Sequence, residues 1–256
     1  MRVMQIVNTF THAWCKEENK IESRVEEPQE VKRFIKDYFK DKFEEERWER
    51  PKLVLDSFRK LSTEENTLLE ATFIEEEIQE AVWGCNGSKS PGPDGFNFNF
   101  VKNMWPALKK EIYDCVAEFH TNGKLVKGSN ASFIVLVPKK ENPQCLGEYK
   151  PISLIGCIYK IISKILANRL KKVMASLFGP QQSPFIEGRQ IIDGIIILNE
   201  MMHEAKNNKK PVLIFKADFE KAYARVNWKF LDSMMNKFGF RPKWRALLKN
   251  FIWKRD

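Results

Sequence analysis

Two short β-branched runs, Ser132 to Val137 and Tyr149 to Leu154, interrupt a chain whose other apolar residues recur at helical spacing. The stretch between them opens Pro138-Lys139-Lys140-Glu141-Asn142-Pro143, so the pattern predicts a hairpin with a basic tip. Beyond it Ile158, Ile161, Ile162, Ile165, Leu166, Leu170, Val173 and Leu177 trace a long helix. Its other faces carry Lys160, Lys164, Arg169, Lys171 and Lys172, a basic surface that suits either phosphate or solvent. Upstream, Val31, Phe34, Ile35, Tyr38, Phe39 and Phe43 predict an amphipathic helix between Gln29 and Trp48. Ser62 with Glu65, and Thr72 with Glu75, read as capping boxes, and the stripe Ile74, Ile78, Ala81, Val82 ends near Gly84. Trp105-Pro106 opens another helix that stops before Gly123. A further helix runs from after Gly188 to about Lys206, followed by a strand from Val212 to Asp218 and a last helix from near Asn227. Helices, hairpin, helices, strand, helix is an α+β order rather than a repeated βαβ array.

Composition narrows the function classes. In 256 residues, 43% are apolar and 12% aromatic, enough for a real core in one large or two modest domains. Forty-three Lys and Arg against 34 Asp and Glu leave a net charge of +9, which favours anionic partners. Met1 to Lys20 mixes charge with its apolar residues, unlike a signal peptide, and no run approaches the roughly 18 apolar residues of a membrane helix. A soluble, intracellular protein without a membrane partner is expected, and no basic import cluster separates nucleus from cytoplasm. Five widely spaced cysteines and three histidines fit neither a zinc site nor a disulfide framework. His203-Glu204 leads only to Asn207 where a zinc-protease helix needs its second histidine.

Asp218 is the most informative single residue. It ends an apolar strand whose period of two puts Ile214, Lys216 and Asp218 on one face. A carboxylate so placed suits magnesium, which takes few protein ligands when substrate phosphates supply the rest. Alone, an aspartate at a strand end is more often a turn former or a helix cap.

Its neighbours favour the metal. Asp218-Phe219-Glu220-Lys221-Ala222-Tyr223, with Trp228 beyond, resembles the first catalytic block of reverse transcriptases from LINE-type (non-LTR) retrotransposons, as found in plant genomes. Three further blocks agree in order: SKSPGPDG at Ser88 to Gly95, EYKPISL at Glu148 to Leu154, and QSPFIEGRQIIDG at Gln182 to Gly194. The resemblance covers Thr72 to the end. It implies the fingers and partial palm of a right-hand polymerase, truncated before the acidic palm hairpin and thumb. Residues 71–256 would form that partial domain, and residues 1–70 a helical, charged N-terminal linker segment.

The resemblance also implies roles. Asp218, with the carbonyl of Phe219, would hold Mg2+. Lys139 and Lys150 would neutralise the triphosphate of an incoming dNTP, Lys221 and Ala222 would offer it backbone N–H groups, and Tyr223 would close against the sugar. Lys89, in a loop stiffened by Pro91 and Pro93, would follow the RNA template. Arg189 reads equally as a phosphate contact or a local cap, and Lys139 and Lys150 equally as a solvated basic turn. The chain departs from the family at Lys150, where the family has Arg and its bidentate fork, and at Ala224, where it commonly has Asp. The function implied is RNA-directed DNA polymerisation, extending a DNA primer on an RNA template. No aromatic-Ala-Asp-Asp tetrad occurs up to Asp256, so these residues alone are expected to be inactive, two-metal transfer needing acids on both sides of the ion pair. The alternative is a non-enzymatic, nucleic-acid-binding remnant of a decayed element.

Overall fold

The computed structural model describes residues 4–6, 13–17, 20–25, 27–43, 58–143, 145–179, 182, 186, 188–215 and 226–253. In chain order the elements are β1 (Met4–Ile6), β2 (Ala13–Glu17), β3 (Lys20–Val25), α1 (Pro28–Phe43), α2 (Thr63–Glu70), α3 (Glu75–Trp83), α4 (Phe98–Asn103), α5 (Trp105–Asn122), β4 (Ser132–Pro138), β5 (Tyr149–Ile155), α6 (Cys157–Leu177), α7 (Ile191–Asn207), α8 (Trp228–Lys237) and α9 (Pro242–Trp253). The chain is thus a mixture of helices with a small sheet. It divides into two compact units, one of residues 1–48, 72–165 and 247–256, the other of 49–71 and 166–246. This division interleaves the chain and does not follow the expected boundary at residue 70. Nor is the segment 1–70 helical throughout, since it contains three strands.

In the first unit β4 pairs antiparallel with β5 over seven residues, from Ser132↔Ile155 to Pro138↔Tyr149, as the alternating apolar runs predict. β1 adds a third strand, parallel to β4, while β2 and β3 form a separate antiparallel pair. The helical stripe of α1 explains one core: Val31, Ile35 and Phe39, buried at 2%, 1% and 0% exposure, gather with Leu136 of β4 and Leu146. Spacing by three and four residues sets these side chains on one face of the helix. Elsewhere in the unit Ile78, Ala81 and Val82 of α3, Val116 and Phe119 of α5, and Ile161, Ile162 and Ile165 of α6 are buried. Phe251 stacks on Tyr159 with centroids 4.3 Å apart. The helix of α3 opens two residues later than its expected box: Ile74, not Thr72, precedes it, and the Glu77 carboxylate accepts from the Ile74 N–H at 3.4 Å. Helix α5 ends where expected, on Gly123 at φ +62°.

In the second unit Ser62 and Glu65 form the predicted reciprocal cap of α2. Buried Asn66 joins α2 to the α8–α9 turn, donating to the Gly239 carbonyl and accepting from the Arg241 N–H, both at 3.0 Å. Arg169 corrects the reading of α6 as basic on all its outer faces. It is 3% exposed, and its guanidinium donates to the carbonyls of Leu69, at 3.1 Å, and Ala71. These are carbonyls at the end of α2 that the helix itself leaves without donors, and a cation there also meets the negative end of the helix dipole. Asp232 receives a two-pronged ion pair from Arg245 at 2.8 Å on each oxygen.

The expected strand from Val212 to Asp218 is not seen in its described part. Residues 211–215 have no ladder partner and no regular structure, with Leu213 94% and Phe215 87% exposed. A β-branched run becomes a strand only where a neighbouring strand takes up its N–H and C=O groups, and no described residue does so. Residues 216–218 lie outside the described residues.

Candidate nucleotide and nucleic-acid site

The hairpin puts two of the predicted lysines on one face. Val137 is opposite Lys150, and the Lys139 N–H donates to the Glu148 carbonyl at 2.8 Å, so Lys139 faces Glu148 one step beyond the ladder. With side chains alternating at every residue, Lys139 and Lys150 share a face. Both are exposed. The ammonium of Lys139 also donates to the Gly147 carbonyl at 2.7 Å, which ties it to the tip while leaving two donors. Lys140 pairs with Glu148 at 2.6 Å, so one of the tip's cations is already neutralised.

The loop carrying Lys89 docks against the root of this hairpin. Lys89 is exposed, but the residues that follow it are fixed. The Gly95 N–H closes a turn on the Gly92 carbonyl at 3.0 Å, with Gly95 at φ +75°, a conformation that favours glycine. Gly92 lies on the corner between β5 and α6: a Cβ there would stand 2.3 Å from the Ile155 carbonyl carbon. Asp94 then reaches across the chain. Its Oδ2 accepts from the Cys157 N–H at 2.5 Å and its Oδ1 from the Phe96 N–H at 3.3 Å. Cys157 is the first residue of α6, so Asp94 caps that helix from a distant position, satisfying a donor the helix cannot. Gly156 leaves room for the carboxylate, since a Cβ on it would lie 2.9 Å from Oδ2. Burial, and then the neighbouring Asp94 charge, push the Cys157 thiol up to about 12. Burial also raises the Cys85 thiol, against the opposing charges of Lys164, Lys102 and Lys160. Both thiols are therefore poor nucleophiles near neutral pH.

Arg189 is a local cap. Its Nη1 donates to the carbonyls of Gly179 and Gln182 at 2.5 and 2.7 Å, its Nη2 to those of Phe178 and Ala175 at 3.1 and 3.4 Å. Both terminal nitrogens are thus engaged by carbonyls at the end of α6 and just after it.

Asp218, Phe219, Lys221, Ala222 and Tyr223 lie outside the described residues. Among the described residues no group of three His, Cys, Asp or Glu side chains is placed to hold a metal ion, and no helix is long and apolar enough to cross a membrane. Sequence reasoning missed Asp94 as a cap; its signal was the aspartate of Pro93-Asp94-Gly95, a residue type that caps helices as readily as it forms turns.

Residues 137–255 match the family profile described as reverse transcriptase (RNA-dependent DNA polymerase). The chain is also similar to three transposon-encoded proteins. Over 194 residues, 76% of this chain, it is 28% identical to the transposon TX1 uncharacterized 149 kDa protein of Xenopus laevis. Over 175 residues, 64% of the chain, it is 26% identical to the retrovirus-related Pol polyprotein from type-1 retrotransposable element R1 of Bradysia coprophila. A probable RNA-directed DNA polymerase from transposon BS of Drosophila melanogaster is 26% identical over 186 residues, 69% of the chain. The aligned portions span 15%, 17% and 20% of these relatives' own lengths.

Proposed function

We propose that this chain is part of an RNA-directed DNA polymerase that extends a DNA primer on an RNA template with deoxynucleotides and magnesium. The observation that carries the reading is the reverse transcriptase match over residues 137–255, which takes in both the Lys139–Lys150 hairpin and the Asp218–Tyr223 run. Residues 71–256 serve as the fingers and the opening of the palm, preceded by the charged segment 1–70. A carboxylate at Asp218 and a carbonyl at Phe219 are hard oxygen donors, the kind a divalent cation such as Mg2+ prefers. The bound ion would supply electrostatic stabilisation of the phosphoryl transfer. Lys139 and Lys150 neutralise the triphosphate, the Lys221 and Ala222 N–H groups orient it, and the Tyr223 ring selects against a 2′-hydroxyl. Lys89 contacts template phosphates, while Arg189 acts only through the turn it holds. The non-enzymatic reading is less favoured, since all three relatives are transposon polypeptides and one is named as a polymerase.

The test loads the 256-residue chain on an RNA–DNA primer–template and measures deoxynucleotide retention with and without Mg2+. Retention that requires Mg2+ and is lost in Asp218→Asn is expected. Equal retention by Asp218→Asn would refute the assignment of the metal-binding residue.

A further inference from the structure

A single carboxylate joins the loop of residues 88–95 to the root of the hairpin. Asp94 spans the corner with one oxygen on the first N–H of α6 and the other on its own loop at Phe96. The fit is close on both sides, with Gly92 against the Ile155–Gly156 backbone and Gly156 against Asp94 itself. The Cys157 thiol donates to the Phe96 carbonyl at 3.3 Å, a third link between the same two segments. On one side of this joint is the exposed Lys89, five residues before Asp94 in sequence; on the other is β5, whose second residue is the exposed Lys150. A loop held only by its own turn would leave Lys89 free to sample many positions, and each phosphate contact it made would carry that ordering cost.

We infer that Asp94 is a positioning residue for single-stranded RNA: by capping α6 across the chain it fixes the Lys89 loop against the hairpin, so that both basic elements engage one strand together. The inference rests on the polymerase reading above. Asp94 itself touches no phosphate, its two oxygens being spent on backbone N–H groups and its charge being of the wrong sign.

The test uses the full chain and a short, unstructured, labelled single-stranded RNA, with affinity read by fluorescence anisotropy over a salt series. Asp94→Ala is expected to weaken binding about fivefold at low salt, the equivalent of one lost cap. It should also lower the slope of log affinity against log salt by about one, the signature of one lost phosphate contact. Lys89→Ala should lower the slope equally, and the double variant no further. Asp94→Asn, which keeps an acceptor, should restore the wild-type slope. Gly92→Ala, which lifts the loop off Ile155 with the carboxylate intact, should reproduce the loss even where Asp94→Ala does not fold. A purely structural role would lower the melting temperature and leave the slope of the folded protein alone. An unchanged slope in Asp94→Ala or Gly92→Ala, or additive losses in the double variant, overturns the inference while leaving the polymerase reading standing. Failure of the unmodified chain to bind the RNA at low salt overturns both.

Discussion

Gly92→Ala isolates the cost of the loop's close approach. The added methyl would sit 2.3 Å from the Ile155 carbonyl carbon and 2.5 Å from both the Ile155 oxygen and the Gly156 nitrogen. All three are backbone atoms, so no side chain can swing aside, and the loop or the β5–α6 corner must move. Overpacking of this kind costs about 2 kcal/mol, which for a chain of this size lowers the melting temperature by roughly 6 °C. Gly95→Ala is the internal comparison. Nothing lies within 4 Å of its would-be Cβ, but its φ is +75°, so its cost is the left-handed backbone alone, about 1 kcal/mol. Thermal and urea denaturation followed by tryptophan fluorescence should rank Gly92→Ala as clearly worse than Gly95→Ala. Equal costs, or a neutral Gly92→Ala, would show that the loop does not rest on the corner and would refute the reasoning.

Arg169→Met keeps the apolar stem but strips two donors from the α2 carbonyls, and urea unfolding should show a loss of about 3 kcal/mol. Lys150→Arg restores the bidentate fork and is expected to tighten deoxynucleotide retention about threefold, read by equilibrium filtration. Burial, with the Asp94 charge beside it, pushes the Cys157 thiol from its ordinary 9.0 up to about 12. Folding therefore favours its protonated form: stability is unaffected by this group below pH 9 and falls as pH rises from 9 toward 12. Cys157→Ala should flatten that alkaline limb in a pH series of urea melts.

The hairpin and the helices α1 and α6 were legible because each has one buried side and a clear period: Leu136 in β4, Ile35 and Phe39 in α1, and Ile161 and Ile165 in α6 are all buried. The strands β1 to β3 were not, since such short runs carry little periodicity and are defined by their ladder partners. α4 is six residues long, too short for its pattern to show, and the last helical stretch proved to be two helices broken at Gly239, which has φ +78°. Val212 to Phe215 failed for the opposite reason, having strand-like composition but no partner. The candidate site was legible as motifs and as residue types. What spacing could not reveal was which polar groups turn back onto the chain: Asp94, Arg169 and Arg189 each end on backbone atoms at or beside a helix terminus, and only the folded chain brings those termini within reach.

Helix α6 draws its two end stops from separate recognisable blocks of the sequence. Asp94, from the glycine- and proline-rich block, meets its first N–H, and Arg189, from the block after it, gathers carbonyls at its exit. A stretch of chain can therefore stand out to the eye for work done on the scaffold rather than on a ligand. A mutational scan of these blocks will register first as melting behaviour, and its losses of activity become interpretable only after the foldedness of each variant has been subtracted.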